Sequence, residues 1–160
     1  MVTRYFIVLL LSGFTALCCF PAPSQAQQSS HAYDSMAVQV LSYVNEHRAG
    51  MGLKPLKMNE VISAAARNHT RDMATSKIPF GHKGFNDRTE QLSKQIKPSF
   101  SFAENVAEGP DNAKAVVDFW LNSPGHKKNI EGDYNLTGIG IVKAKDGTFY
   151  YTQIFIKKGE

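Results

Sequence analysis

The apolar residues of this chain recur at helical intervals near one end and read as strands near the other, and that contrast restricts the fold more than any other feature. Met36, Val40, Leu41 and Val44, then Val61, Ile62, Ala65, Ala66, His69 and Met73, recur at helical intervals. Gly50 and Gly52 break the first run after Arg48, and Asn59 is placed to cap the second, so two helices are predicted first. Near the other end, Leu136 to Lys145 and Thr148 to Lys157 read as strands joined across Asp146-Gly147, a dipeptide suited to a tight hairpin. Helices and an antiparallel pair in one short chain have to pack in layers around a shared core.

Between these ends the pattern is mixed. Pro79 and Gly81 interrupt helix two, so Phe80-Gly81-His82-Lys83-Gly84 is predicted to be a loop that displays His82. A third helix is predicted over Asn86 to Lys97. Phe100, Phe102 and Val106 then alternate as in a strand, with Glu104 on the same side-chain parity. A carboxylate on an inward parity calls for a partner. Asp111 is placed to cap a helix carrying Ala115, Val116, Phe119 and Trp120, which ends before Pro124. Ser123-Pro124 reads as the cap and first position of a further turn carrying His126.

The N-terminus bounds the compartment. Met1 to Arg4 carry one positive charge, Tyr5 to Phe20 are almost wholly apolar, and Ser24-Gln25-Ala26 ends in small residues, the pattern of a signal peptide cleaved after Ala26. The run is shorter than the roughly 20 residues that a membrane-spanning helix needs and no later segment approaches that length, so no membrane span is expected after cleavage. Residues 27–35, rich in Gln and Ser, read as a flexible spacer, and residues 36–160 as one domain. Both cysteines, Cys18 and Cys19, fall in the cleaved segment, so the mature domain must rest on its core without disulfides. Lys and Arg number 18 against 14 Asp and Glu, a mild excess that suits anionic envelope polymers or lipids. No phosphate-binding Gly-rich loop, Cys cluster or aromatic-interleaved basic patch is present, which leaves nucleotide and nucleic-acid functions unsupported.

Several ordered motifs resemble those of the CAP superfamily, also called SCP-like, in its bacterial form. They are Asn45-Glu46-His47-Arg48, Gly52-Leu53 with Pro55-Leu56, Ala64-Ala65-Ala66, Asp72-Met73-Ala74, Phe80-Gly81-His82 and Ala103-Glu104-Asn105-Val106-Ala107. Trp120 with Ser123-Pro124-Gly125-His126, Gly138-Ile139-Gly140, and Tyr151-Thr152-Gln153-Ile154-Phe155 complete them. The resemblance covers Met36 to Ile156. It implies an α+β fold, a three-layer α-β-α sandwich with a small antiparallel sheet of about three strands. It also implies a central cleft, and the positions that match the cleft residues of the family are His82, Glu104 and His126, with Asn105 beside them. A second glutamate is missing, since Asn122 and Ser123 follow the tryptophan, and Tyr151 stands where other members carry their second histidine. His126 reads as the bacterial replacement.

Those residues allow two chemistries. His82 and His126 could bind zinc or another divalent cation, with Glu104 as ligand or base. Alternatively, Glu104 accepts hydrogen bonds from both imidazoles in a polar structural cluster. Ser123, Ser101 and Ser76 lack the surroundings of a nucleophile, and Ser123 is better explained as a cap. His47 reads as a packing residue, His69 as a surface residue and His31 as part of the tail. Phe119 and Trp120 read as core, and Lys127-Lys128 as a solvated pair. Three functions follow in order of preference: an exported, secreted or periplasmic binding module whose cleft holds a lipid-like or cell-envelope glycan ligand; a non-catalytic envelope interaction protein; and a metal-assisted extracytoplasmic hydrolase.

Overall fold

The computed structural model describes residues 25–159, with side chains from residue 33 onward. The expected signal peptide lies outside that range except for Gln25 and Ala26. The elements in chain order are α1 (Gln25–Gly50), β1 (Lys57–Met58), α2 (Glu60–Ala74), α3 (Phe85–Gln95), β2 (Ser99–Glu108), α4 (Ala113–Leu121), α5 (Pro124–Ile130), β3 (Leu136–Lys143) and β4 (Phe149–Lys158). Helices cover both faces of one sheet, which is the α+β sandwich that the resemblance implies.

The sheet has four strands in the order β1-β3-β4-β2, not about three, and it is mixed. β1 runs parallel to β3 while the other pairs are antiparallel. Two residues cannot display a period, so the sequence alone gives no sign of a strand at Lys57 and Met58. The pairing is tertiary: Lys57 N donates to Asn135 O at 3.0 Å and Asn59 N to Thr137 O at 2.8 Å.

Helix α1 begins at Gln25, eleven residues before the expected start at Met36, so the segment read as a spacer has helical backbone. Residues 25–49 contain neither Gly nor Pro, and Gln and Ala favour helix. Tyr33 anchors this extension by setting its ring edge-on to Phe149, 6.3 Å between centroids. α4 is capped by Asn112, whose side chain accepts from Ala115 N at 2.9 Å, rather than by Asp111. Ser123 is the N-cap of α5, but its side chain makes no capping bond; its carbonyl accepts from Lys127 N at 2.8 Å.

Two cores flank the sheet. On one face Val40, Val44, Val116, Trp120, Tyr151 and Phe155 pack α1 and α4 against β3 and β4. Trp120 is fully buried and donates its indole N–H to Val106 O at 3.1 Å. Tyr151 donates to Pro110 O at 2.7 Å, and burial pushes its phenol pKa up to about 12, with Asp111 adding to the rise. Phe119, expected in this core, is 48% exposed because it falls on the outer side of α4.

On the other face Ile62, Ala66, Leu92, Ile96, Ile154 and Ile156 pack α2 and α3. Here α2 lies almost directly on the β3 backbone. A Cβ at Gly138 would stand 2.2 Å from Ser63 N, and one at Gly140 would stand 2.4 Å from the Ala66 carbonyl carbon. Such closeness admits only small residues at the seam. The buried stripe of α2 also differs from the expected one, with Ser63 and Thr70 buried and Val61 39% exposed. No helix among the described residues is long and apolar enough to cross a membrane.

Candidate functional site

The pleat of β2 sends consecutive side chains to opposite faces. Glu104, paired across the sheet with Ile154, points to the α2–α3 side, and Asn105, paired with Gln153, points to the α5 side. This one-residue alternation puts the Glu104 carboxylate and the Asn105 amide on opposite sides of β2.

Glu104 is buried, and its carboxylate is fully engaged. Oε1 accepts from Arg88 Nη2 at 2.8 Å and from His82 Nδ1 at 2.9 Å. Oε2 accepts from Arg88 Nη2 at 2.7 Å and from Arg88 Nε at 3.0 Å. Three donor nitrogens thus make these four contacts, with Arg88 Nη2 shared between the two oxygens. Arg88 Nη1 also donates to Lys83 O at 2.8 Å, so the guanidinium ties α3 to β2 and to the loop that carries His82. A charge-assisted fork of this kind offsets the desolvation of a buried carboxylate, which would otherwise be several kcal/mol unfavourable.

His69 is the second imidazole of this cluster. It is buried on α2, with Nδ1 3.1 Å from Thr152 Oγ1 and 3.8 Å from Glu104 Oε2, and its Nε2 has no partner. Burial is the main cause that lowers its pKa; Glu104 opposes the fall, while Arg88 and His82 add to it. The structure thus corrects the surface position expected for His69, and its place in the apolar stripe of α2 is the signal that it is inside. Arg88 has no such signal in its own surroundings, because one arginine in a polar helix looks like any solvated side chain; only the need of Glu104 for a partner points to it.

His126 does not join Glu104. Its carbonyl accepts from Asn105 Nδ2 at 3.1 Å, and Asn129 Nδ2 bridges Asn105 Oδ1 at 2.9 Å and Glu104 O at 3.2 Å. The His126 ring lies 6.2 Å from that of Phe119, its Nδ1 is buried without a partner, and burial, then His82, lowers its pKa. Asn105, expected beside the cleft, is fully buried and serves as a bracket between β2 and α5. Arg48 of the Asn45-Glu46-His47-Arg48 motif holds the far end of α5 by donating to Ile130 O at 2.6 Å and Gly132 O at 2.9 Å. His47, expected as a packing residue, sits 2.9 Å from Glu131 and adds a second tie.

Above Glu104 lies an open cleft of about 290 Å³ lined by His82, Phe85, Phe102, Ala103, Glu104 and Asn129. His82 is half-exposed there, so its free edge meets solvent. Among the described residues no three His, Cys, Asp or Glu side chains are grouped to hold a metal ion. The cation that pairs with Glu104 in this structure is the Arg88 guanidinium, 2.7 Å away.

The comparisons agree with the fold. The family model for CAP, the Cysteine-rich secretory protein family, matches residues 41–155. The uncharacterized protein YkwD of Bacillus subtilis (strain 168) is 35% identical over 137 residues, which are 84% of this chain and 51% of YkwD. The uncharacterized membrane protein YlbC of the same organism is 31% identical over 123 residues, 75% of this chain and 34% of YlbC. The chain thus spans about half or less of these relatives. Among solved structures, an extracellular protein containing a SCP domain from Bacillus anthracis superposes with a TM-score of 0.71 at 24% identity, covering 86% of this chain and 45% of that one. An outer surface protein from Borrelia burgdorferi superposes with a TM-score of 0.64 at 21% identity, covering 79% of this chain and 94% of that one. With its ordered motifs, its sandwich fold and a family match over most of its length, this chain belongs to the CAP family.

Proposed function

We propose that this domain is an exported binding module, secreted or periplasmic, that holds a cell-envelope ligand in the cleft at His82, Phe85, Phe102 and Asn129. The observation that carries the reading is the engagement of Glu104 by Arg88 and His82. Three donor nitrogens, Arg88 Nε and Nη2 and His82 Nδ1, hold its two oxygens in place, so it acts as the rigid floor of the cleft. That favours binding over hydrolysis. Two partly exposed phenylalanine rings give the cleft apolar walls, while His82 and Asn129 supply polar groups, the mixture by which small ligands are oriented. The Bacillus anthracis neighbour is described as extracellular, which accords with export.

The test is co-sedimentation of the purified protein with isolated cell-wall sacculi and, separately, with vesicles of envelope lipids. The protein is expected to pellet with one of them, and Phe102→Ala and His82→Ala are expected to lose that binding while melting cooperatively. Equal binding by both variants would overturn the cleft assignment. Release of sugar or peptide from the sacculi, abolished in Glu104→Gln, would overturn the non-catalytic reading.

A further inference from the structure

Strand β2 lies at one edge of the sheet, so half of its main-chain groups have no strand to meet. Gly109 N donates to Phe149 O at 2.9 Å, which fixes the phase of the β2–β4 ladder. Counting back by twos, Ala107, Asn105 and Ala103 are bonded pairs with Tyr151, Gln153 and Phe155, and Val106, Glu104 and Phe102 turn their N–H and C=O outward. Side chains occupy two of the outward carbonyls. Val106 O accepts from Trp120 Nε1 at 3.1 Å, and Glu104 O accepts from Asn129 Nδ2 at 3.2 Å. Phe102 N–H, Phe102 C=O and Glu104 N–H have no hydrogen-bond partner among the described residues.

These three groups border the cleft, whose lining includes Phe102, Ala103 and Glu104. Glu104 is 5% exposed as a whole residue and 1% in its side chain, so what solvent reaches of it is mainly main chain. The open stretch has two definite ends. At one, the register shifts between Ser99 and Ser101, a bulge that stops the regular edge; at the other, Asn129 caps Glu104 O.

A donor, an acceptor and a donor spread over two strand residues are the complement of another extended chain. Such a chain supplies an acceptor, a donor and an acceptor at the same spacing, and its alternate side chains reach the apolar walls at Phe85 and Phe102. A lipid tail would cover the three groups without replacing the water it removes. A second copy cannot offer its own β2, because there the same edge lies between Phe85 of α3 and Asn129 of α5. Arg88 already neutralises Glu104, so the cleft makes no demand for charge and an uncharged segment fits.

We propose that the Phe102–Glu104 edge of β2 binds an extended, uncharged, apolar segment of another envelope polypeptide, which adds to the sheet as a further strand. This strand addition rests on the cleft reading above and specifies its ligand as a peptide.

The test is hydrogen exchange and an NMR titration of the 15N-labelled protein with acetyl-Thr-Val-Thr-Val-Thr-amide, beside versions N-methylated either on the valines or on the threonines. Alternate residues of a strand present their N–H groups to opposite edges, so one methylated peptide blocks the pairing edge and the other spares it. In the free protein the Phe102 and Glu104 amides should exchange faster than those of Ala103 and Asn105, and the peptide should slow them. One methylated version should bind about fivefold to tenfold more weakly than the other. Phe102 and Glu104 amides as protected as Ala103 in the free protein would overturn the proposal. So would the absence of β2 shifts at millimolar peptide, or equal binding by the two methylated peptides. Shifts at Phe102 and Glu104 produced by diacetylchitobiose or laurate and not by the peptide would overturn it while leaving the cleft reading in place.

Discussion

Arg88 and Glu104 form a forked ion pair between α3 and β2, with contacts of 2.7, 2.8 and 3.0 Å to a carboxylate that is almost fully buried. The pair does two things at once. It neutralises a charge that the sheet interior would not otherwise tolerate, and it closes Glu104 to other partners.

Arg88→Ala should therefore destabilise the domain by about 3–5 kcal/mol, because it strands a buried carboxylate. Arg88→Met with Glu104→Gln should recover much of that loss. Urea unfolding of both singles and the double forms the cycle; losses that add to within about 0.5 kcal/mol would show that the two groups do not depend on each other.

Stability should also depend on pH through His69 and His126. Both have folded pKa values below the ordinary imidazole value, with burial as the main cause in each. The unfolded state then binds more protons at mildly acid pH, so stability is full above about pH 6.5 and falls as the pH drops from there toward the lowered folded values. Melting curves from pH 7.5 to 5 should show this slope, and His69→Gln should flatten it. An unchanged slope in both His69→Gln and His126→Gln would remove these residues as its source.

Gly138→Ala and Gly140→Ala should each be severely destabilising or prevent folding, since the new methyl would stand 2.2–2.4 Å from the backbone of α2. Gly125→Ala, with nothing within 4 Å, should be neutral or stabilising by up to about 1 kcal/mol. Thermal melts separate the two classes, and a mild Gly138→Ala would mean that α2 sits farther from β3.

Zinc at tenfold excess should leave the melting temperature unchanged, because Arg88 occupies the carboxylate on which a cation would depend. A rise that disappears in His82→Ala/His126→Ala would show that the two imidazoles bind metal without Glu104.

What the amino-acid sequence determined by itself is the local structure. Spacing of apolar residues places α2, α4, β3 and β4, Asn59 caps α2 through Ile62 N at 3.2 Å, and Pro124 opens α5, because each depends on residues a few positions apart. The family motifs add the sandwich and bring His82 to Glu104. The tertiary structure alone decided the rest. Arg88 reaches Glu104 across 16 positions because α3 lies over that face of β2, and His69 reaches it because the glycines of β3 draw α2 down onto the sheet. His126 is held through Asn105, on the opposite side of the same strand. Periodicity reports which side of its own element a residue occupies; which groups meet between layers depends on how closely the elements pack, and that is set by the whole core at once.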